Sequence, residues 1–387
     1  MEIKESLIKE LEFLTGVGDD SRIVCWFSHG IASTVATKLT ILANNKLKKP
    51  KKLVVADIYL EEEHKDNIRF YSEVKEWLLE DLTPEEVSHI EFTTLKNEKY
   101  QGSVDNVINT SRYMSGIYGA MCTSVLKKEV RYEWQQPNDV HVFGMTVEEQ
   151  NRIDRLLDGE SDILVFAPLI EQGLTKIDCF DWFSSSNIKP PIMYELGFNN
   201  NNCKGCLKAG GAGYWNLTRK LFKDLFDERA RQEEWLGVAL VKMAGNVILN
   251  KHREAFYKMT EDIIAGSFPE LKVDGKENPP TKGGKPQNCT LLPKHLSEGV
   301  EEAEEHSLIV SKISYPIVLV NTYTLINKYP EVFLKMLQYL DENNLKGKMY
   351  GSGVRIPLRY LPEDAGDQKS IYVGDCGFFC ERGENDN

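Results

Sequence analysis

A short run, Ser28-His29-Gly30-Ile31-Ala32-Ser33-Thr34, follows the apolar stretch Arg22 to Phe27 and leads into a periodic segment reaching Asn44. The pattern reads as a strand, a glycine-bearing turn and a helix. Such a turn points backbone N–H groups outward at a helix N-terminus, where unpaired donors and the positive dipole end favour a phosphate or sulfate. The run is not a Walker loop, because no Gly-Lys-Ser/Thr ends it, and it lacks the G-x-G-x-x-G of a dinucleotide turn. Cysteine is the second source of chemistry. Eight cysteines in a large chain without secretory features point away from a disulfide framework. The close pairs Cys203-Lys-Gly-Cys206 and Cys376-Gly-Phe-Phe-Cys380 suit metal ligation or redox work, whereas Cys25 and Cys179 lie in apolar stretches and read as core residues.

The elements that must position these groups alternate. Strands are expected at Arg22 to Phe27, Lys52 to Leu60, His89 to Thr94, Val140 to Met145 and Ile163 to Phe166. Between them lie helical segments, among them Ser33 to Asn44 and Asp66 to Leu79. The apolar side of the latter is supplied by Ile68, Phe70, Tyr71, Val74, Trp77 and Leu78. The order predicts an α/β fold, a Rossmann-like doubly wound, mostly parallel sheet, with a C-terminal mainly helical extension. Ligands of such sheets bind at the carboxyl ends of the strands, where the Ser28 turn lies. A further helical run is expected from Tyr214 to about Asn250, and a helix from Pro330 to Asn343. The polar, Gly- and Pro-rich stretch from Lys272 to Gln287 reads as a linker or loop.

The 387 residues are 41% hydrophobic and 27% charged, the composition of an ordinary globular protein. There is no apolar signal-peptide core at the N-terminus and no apolar run approaching ~18 residues, so a cytoplasmic protein without a membrane span is expected. The net charge of −12 argues against broad wrapping of nucleic acid.

The Ser28 turn resembles the phosphate loop of the phosphoadenosine phosphosulfate (PAPS) reductase family within the adenine nucleotide alpha hydrolase, or PP-loop ATP pyrophosphatase, superfamily. Ala32 stands where ATP-cleaving members carry aspartate, which is closer to the reductases. Three more segments follow in the family's order. Val54 to Phe70, with Asp57, resembles its second strand and following turn; Met121-Cys122-Thr123-Ser124-Val125-Leu126-Lys127 resembles C-T-x-x-L-K; and Gly144 to Arg152 resembles G-x-R-x-x-E-S-x-x-R, with Met145 in place of the first arginine. The resemblance continues through Tyr194 to Phe198 to the Cys203 pair. It implies a PAPS reductase-like domain over residues 1–235, followed by a helical segment and linker over 236–290 and an extension over 291–387.

The resemblance also implies roles. An adenine nucleotide, whether PAPS, APS or ATP, would be bound by Ser28, His29, Gly30, Ile31, Ser33, Thr34, Asp57, Lys127, Gly144 and Arg152. Chemistry would occur at or beside its α-phosphate. Cys122, Cys203, Cys206 and Cys380 would ligate an iron-sulfur cluster such as [4Fe-4S], with zinc as the alternative for the same soft tetrahedral set. Asp375-Cys376-Gly377 resembles the E-C-G motif whose cysteine attacks sulfonucleotide sulfur, so Cys376 is either the nucleophile, served by a thiol reductant, or a further ligand. If ATP is the substrate, Mg²⁺ and an acceptor, a nucleic acid or a small molecule with a sulfur donor, are implied. A nucleotide-binding partner protein that has lost catalysis is the remaining alternative.

Overall fold

The computed structural model describes residues 3–18, 20–116, 119–160, 162–243, 250–271, 289–310, 313–343, 349–350 and 354–373. The described chain divides into two compact units, one formed by residues 3–114 and 119–203 and the other principally by 204–373. Cys376, Cys380 and the stretch from Lys272 to Gln287 lie outside the described residues.

The first unit is α/β. Its five strands are β1 (Ile23–Phe27), β2 (Leu53–Ile58), β3 (Ile90–Leu95), β4 (Val140–Val142) and β5 (Leu164–Phe166). They form one sheet in the order β3-β2-β1-β4-β5, and every neighbouring pair is parallel. All five residues of β1 are buried, as a central strand covered on both faces requires. Ile23, Cys25 and Phe27 enter one core with Leu7 and Leu11 of α1 (Glu5–Thr15), Val35 and Leu39 of α2 (Ile31–Asn44) and Phe70 and Val74 of α3 (Asp66–Leu79). Val24 and Trp26 enter a second core on the opposite face with Val130, Ile153 and Leu156. Each large side chain so buried contributes roughly 1.5–3 kcal/mol.

Within α3 the apolar side is Phe70, Val74 and Leu78, one turn apart, while Ile68 is 77% exposed. Ile68 was expected on that side, but a residue two positions before Phe70 points about 200° away around a helix. Asp66 opens α3 as its first residue and receives Arg69 Nε at 2.7 Å and the backbone N–H of Ile192 at 2.9 Å.

The second unit begins with two helices, Ala212–Leu221 and Lys223–Leu236. The helical run expected to reach Asn250 stops at Gly237, which adopts φ 67° and closes the helix with a left-handed cap; a short strand, Val241–Met243, follows. Helices Arg253–Ile264, Thr322–Lys328 and Pro330–Glu342 follow in the C-terminal region. They are joined by a four-stranded antiparallel sheet of Glu304–Val310, Ile313–Asn321, Cys289–Pro293 and Met349–Tyr350, in that order. The run Ile317-Val318-Leu319-Val320, three of its four residues β-branched, favours strand over helix there. No helix among the described residues is long and apolar enough to cross a membrane.

Candidate functional site

The connection leaving β1 goes to β2 on one side, whereas the chain after β3 crosses to β4 on the other side of β1. Such a reversal of strand order opens a crevice at the carboxyl ends of the two strands. Here the turn after β1 and the turn after β4 form its walls. The cleft is narrow and partly open to solvent.

The floor is the Ser28 turn. Gly30 is extended (φ −95°, ψ 158°) and starts α2, and no side chain among the described residues caps that helix. Ser33 Oγ donates to Gly30 O at 2.9 Å and accepts from the Ser28 amide at 3.2 Å and the Ser28 hydroxyl at 3.1 Å. Thr34 closes the first turn, its amide and hydroxyl both donating to Gly30 O at 3.1 and 2.9 Å. The turn is therefore rigid before any ligand arrives, with the N–H groups at the head of a fourteen-residue helix left for an anion. Gly144, just after β4, touches this floor. A Cβ there would lie 2.5 Å from Ser33 Cα and 2.6 Å from Ser33 N, so only glycine permits the approach.

Positive charge comes from two further elements. Lys127 is buried, sits in a π-helical turn, Ser124–Lys128, and lines the cleft. Arg152, in the helix Gln150–Gly159, lines it too and pairs with Glu149. An apolar wall is made by Trp26, Phe143 and Met145. Trp26 is fixed from behind by His141, whose Nδ1 accepts the indole N–H at 3.0 Å. Burial, helped by Arg131, pushes His141 down to about 4, so its imidazole is neutral at pH 7.

His29 occupies the left-handed region (φ 57°), a conformation that costs a non-glycine residue on the order of 1–2 kcal/mol. Its ring is held in place by contacts on several sides. Nδ1 lies 3.1 Å from Glu63 Oε2, Nε2 lies 3.9 Å from Asp57 Oδ2, and Phe27 and Tyr71 meet it edge-on. Burial raises the Asp57 carboxyl against the opposing pull of His29 and Thr94. Burial works the same way on Glu63, but His29, Lys127 and Asn67 outweigh it and hold that carboxyl below its ordinary value.

No known protein-family model matches this chain, and no curated protein sequence matches it. Its own geometry therefore carries the functional argument.

Of the residues singled out in the sequence, the fold brings Ser28, Gly30, Ser33, Lys127, Gly144, Arg152 and Cys203 to one cleft. Ile31 and Thr34 are buried in the start of α2 and serve through the helix backbone. Asp57 stands behind the His29 ring and is not among the residues lining the cleft. Cys122 is half-buried and likewise not among them. Cys203 belongs to the first unit and Cys206 to the second, where the Cys206 amide donates to the Tyr214 hydroxyl at 2.8 Å. Among the described residues, no three His, Cys, Asp or Glu side chains come together as a metal site; Cys380, the fourth expected ligand, lies outside them. Glu63, Asn201 and Asn202 also line the cleft and had no place in the sequence-based site. The turn bearing the asparagines is fastened by Lys176, which donates to the Asn199 carbonyl at 2.8 Å and to the Asn200 side chain.

Proposed function

We propose that the first unit binds an adenine nucleotide and that the protein acts at or beside its α-phosphate in sulfur-related chemistry, as a PAPS reductase-like enzyme. The observation that carries this reading is the convergence of an uncapped helix N-terminus, Lys127 and Arg152 on one cleft at the point of strand reversal. Backbone N–H groups at the head of α2, with the Ser28 hydroxyl, hold an oxyanion. Lys127 and Arg152 neutralise charge that develops as a bond to it breaks. Trp26, Phe143 and Met145 offer the apolar surface a nucleoside needs.

With a sulfonucleotide, the Cys376 thiolate attacks sulfur, the new S–S bond forms as the S–O bond to phosphate breaks, and the nucleotide leaves as its phosphate. A thiol reductant then attacks the cysteine sulfur and releases sulfite, leaving a mixed disulfide. With ATP, an acceptor attacks the α-phosphorus and pyrophosphate leaves. Mg²⁺, when bound by the phosphates, supplies charge neutralisation for that departure. Ala32, in place of a loop aspartate, favours the sulfonucleotide.

A second reading, nucleotide binding without turnover, is favoured by Met145, which puts a buried thioether where the resemblance would place an arginine. Product analysis separates the three. Sulfite from PAPS or APS that disappears in Cys376→Ser supports the reductase, pyrophosphate from ATP supports adenylation, and binding with neither product supports the second reading.

A further inference from the structure

Asn201 lines the cleft and is only 7% exposed. Its Nδ2 donates twice, to the His29 carbonyl at 2.8 Å and to Asn67 Oδ1 at 2.9 Å. Asn67 Nδ2 donates in turn to Glu63 Oε2 at 2.8 Å. An ionised carboxylate only accepts, so Glu63 sets the orientation of the Asn67 amide, and Asn67 with the His29 carbonyl sets that of Asn201. The chain of amides thus runs in one direction and ends on an acceptor. That acceptor, Asn201 Oδ1, is shut off from solvent and has no hydrogen-bond partner. A buried amide oxygen left unmatched is costly, and native proteins keep such atoms rare.

The bond to the His29 carbonyl ties Asn201 to the residue next to Gly30, where the oxyanion is held. A phosphate-ester dianion or a sulfate ester brings oxygens that accept, not donors that could satisfy Oδ1. The donor therefore has to come from the organic part of the ligand. We infer that Asn201 Oδ1 accepts a hydrogen bond from an O–H or N–H of the ligand beside the bound oxyanion, so that the cleft selects hydroxyl- or amine-bearing phosphate or sulfate esters over esters that lack such a donor. The inference rests on the nucleotide reading, in which the donor is a ribose hydroxyl or the adenine amino group.

The test is isothermal titration of the full chain with adenosine 5′-phosphate, the moiety common to all three nucleotides. The comparison ligands are its 2′-deoxy, 3′-deoxy and 6-deamino analogues. One analogue should bind about 10- to 100-fold more weakly than the parent, the cost of leaving a buried acceptor unpaired. In Asn201→Ala that analogue and the parent should bind alike. The wild-type series decides the matter even if the variant does not fold. Equal binding of the parent and every analogue would overturn the inference while leaving the nucleotide reading intact. Failure of adenosine 5′-phosphate and all analogues to bind would overturn both.

Discussion

Lys127 is nearly closed off from solvent, and a charged amine so placed is costly unless a counter-charge compensates it. Its charge helps hold the Glu63 carboxyl below its ordinary value. Replacing Lys127 by Met keeps the stem and removes the charge; it should weaken nucleotide binding about 10- to 100-fold, read by titration calorimetry, with the fold retained by circular dichroism. His141 makes a different prediction. Its folded pKa lies below the unfolded value, so the stability it supports is present above about pH 6.5 and is lost as pH falls toward and through about 4. Full protonation should cost roughly 3 kcal/mol, and chemical unfolding from pH 7 to pH 4 should show a steeper fall for wild type than for His141→Gln. At this scale the sequence was partly legible. The Ser28 turn, Lys127, Gly144 and Arg152 stand in recognisable local patterns, whereas Asn201 earns its place only through partners far away in sequence, His29 and Asn67. Asp57 shows the converse: it lies near the end of β2, yet it meets the His29 ring and is not among the residues lining the cleft.

The site depends on how closely two elements approach. The turn after β4 rests its Gly144 Cα against the backbone of Ser33, and that contact holds the Met145 wall over the floor. Gly144→Ala should force the two apart, lowering stability by about 1–3 kcal/mol and weakening nucleotide binding, in contrast to a Gly159→Ala control, where an added Cβ meets open space. Thermal unfolding and titration of the two variants side by side give the comparison. The strands β1 and β2 and the helices α2 and α3 were readable from periodicity because each buries a continuous or one-turn-spaced apolar set. The helical run after Tyr214 was read too far because apolar residues continue past Leu236, while the chain is turned by the left-handed Gly237. The antiparallel sheet of the C-terminal region was harder still: Glu304–Val310 and Ile313–Asn321 are joined by two residues, Ser311 and Lys312, that carry no Asn-Gly or Gly-Gly turn signal, and Cys289–Pro293 and Met349–Tyr350 join the sheet from far away in sequence.

On the scale of the whole molecule, every residue described in the cleft belongs to the first unit, and the second unit has its own buried polar anchor. Glu233 is fully buried and accepts the Leu240 and Leu358 amides, each at 2.5 Å, joining three segments of that unit. Glu233→Gln leaves one of those amides without its acceptor and should cost about 1–3 kcal/mol in unfolding, while nucleotide affinity stays within about twofold of wild type. The central claim is that the cleft of the first unit is an adenine nucleotide site held by the head of α2 and by Lys127 and Arg152. Titration of ATP, APS and PAPS into the full-length wild type and into the double variant Lys127→Met, Arg152→Gln tests it most directly. At least one of the three should bind wild type saturably and one-to-one, and that binding should be lost in the folded double variant. No binding of any of them, or binding that survives unchanged in the double variant, would contradict it.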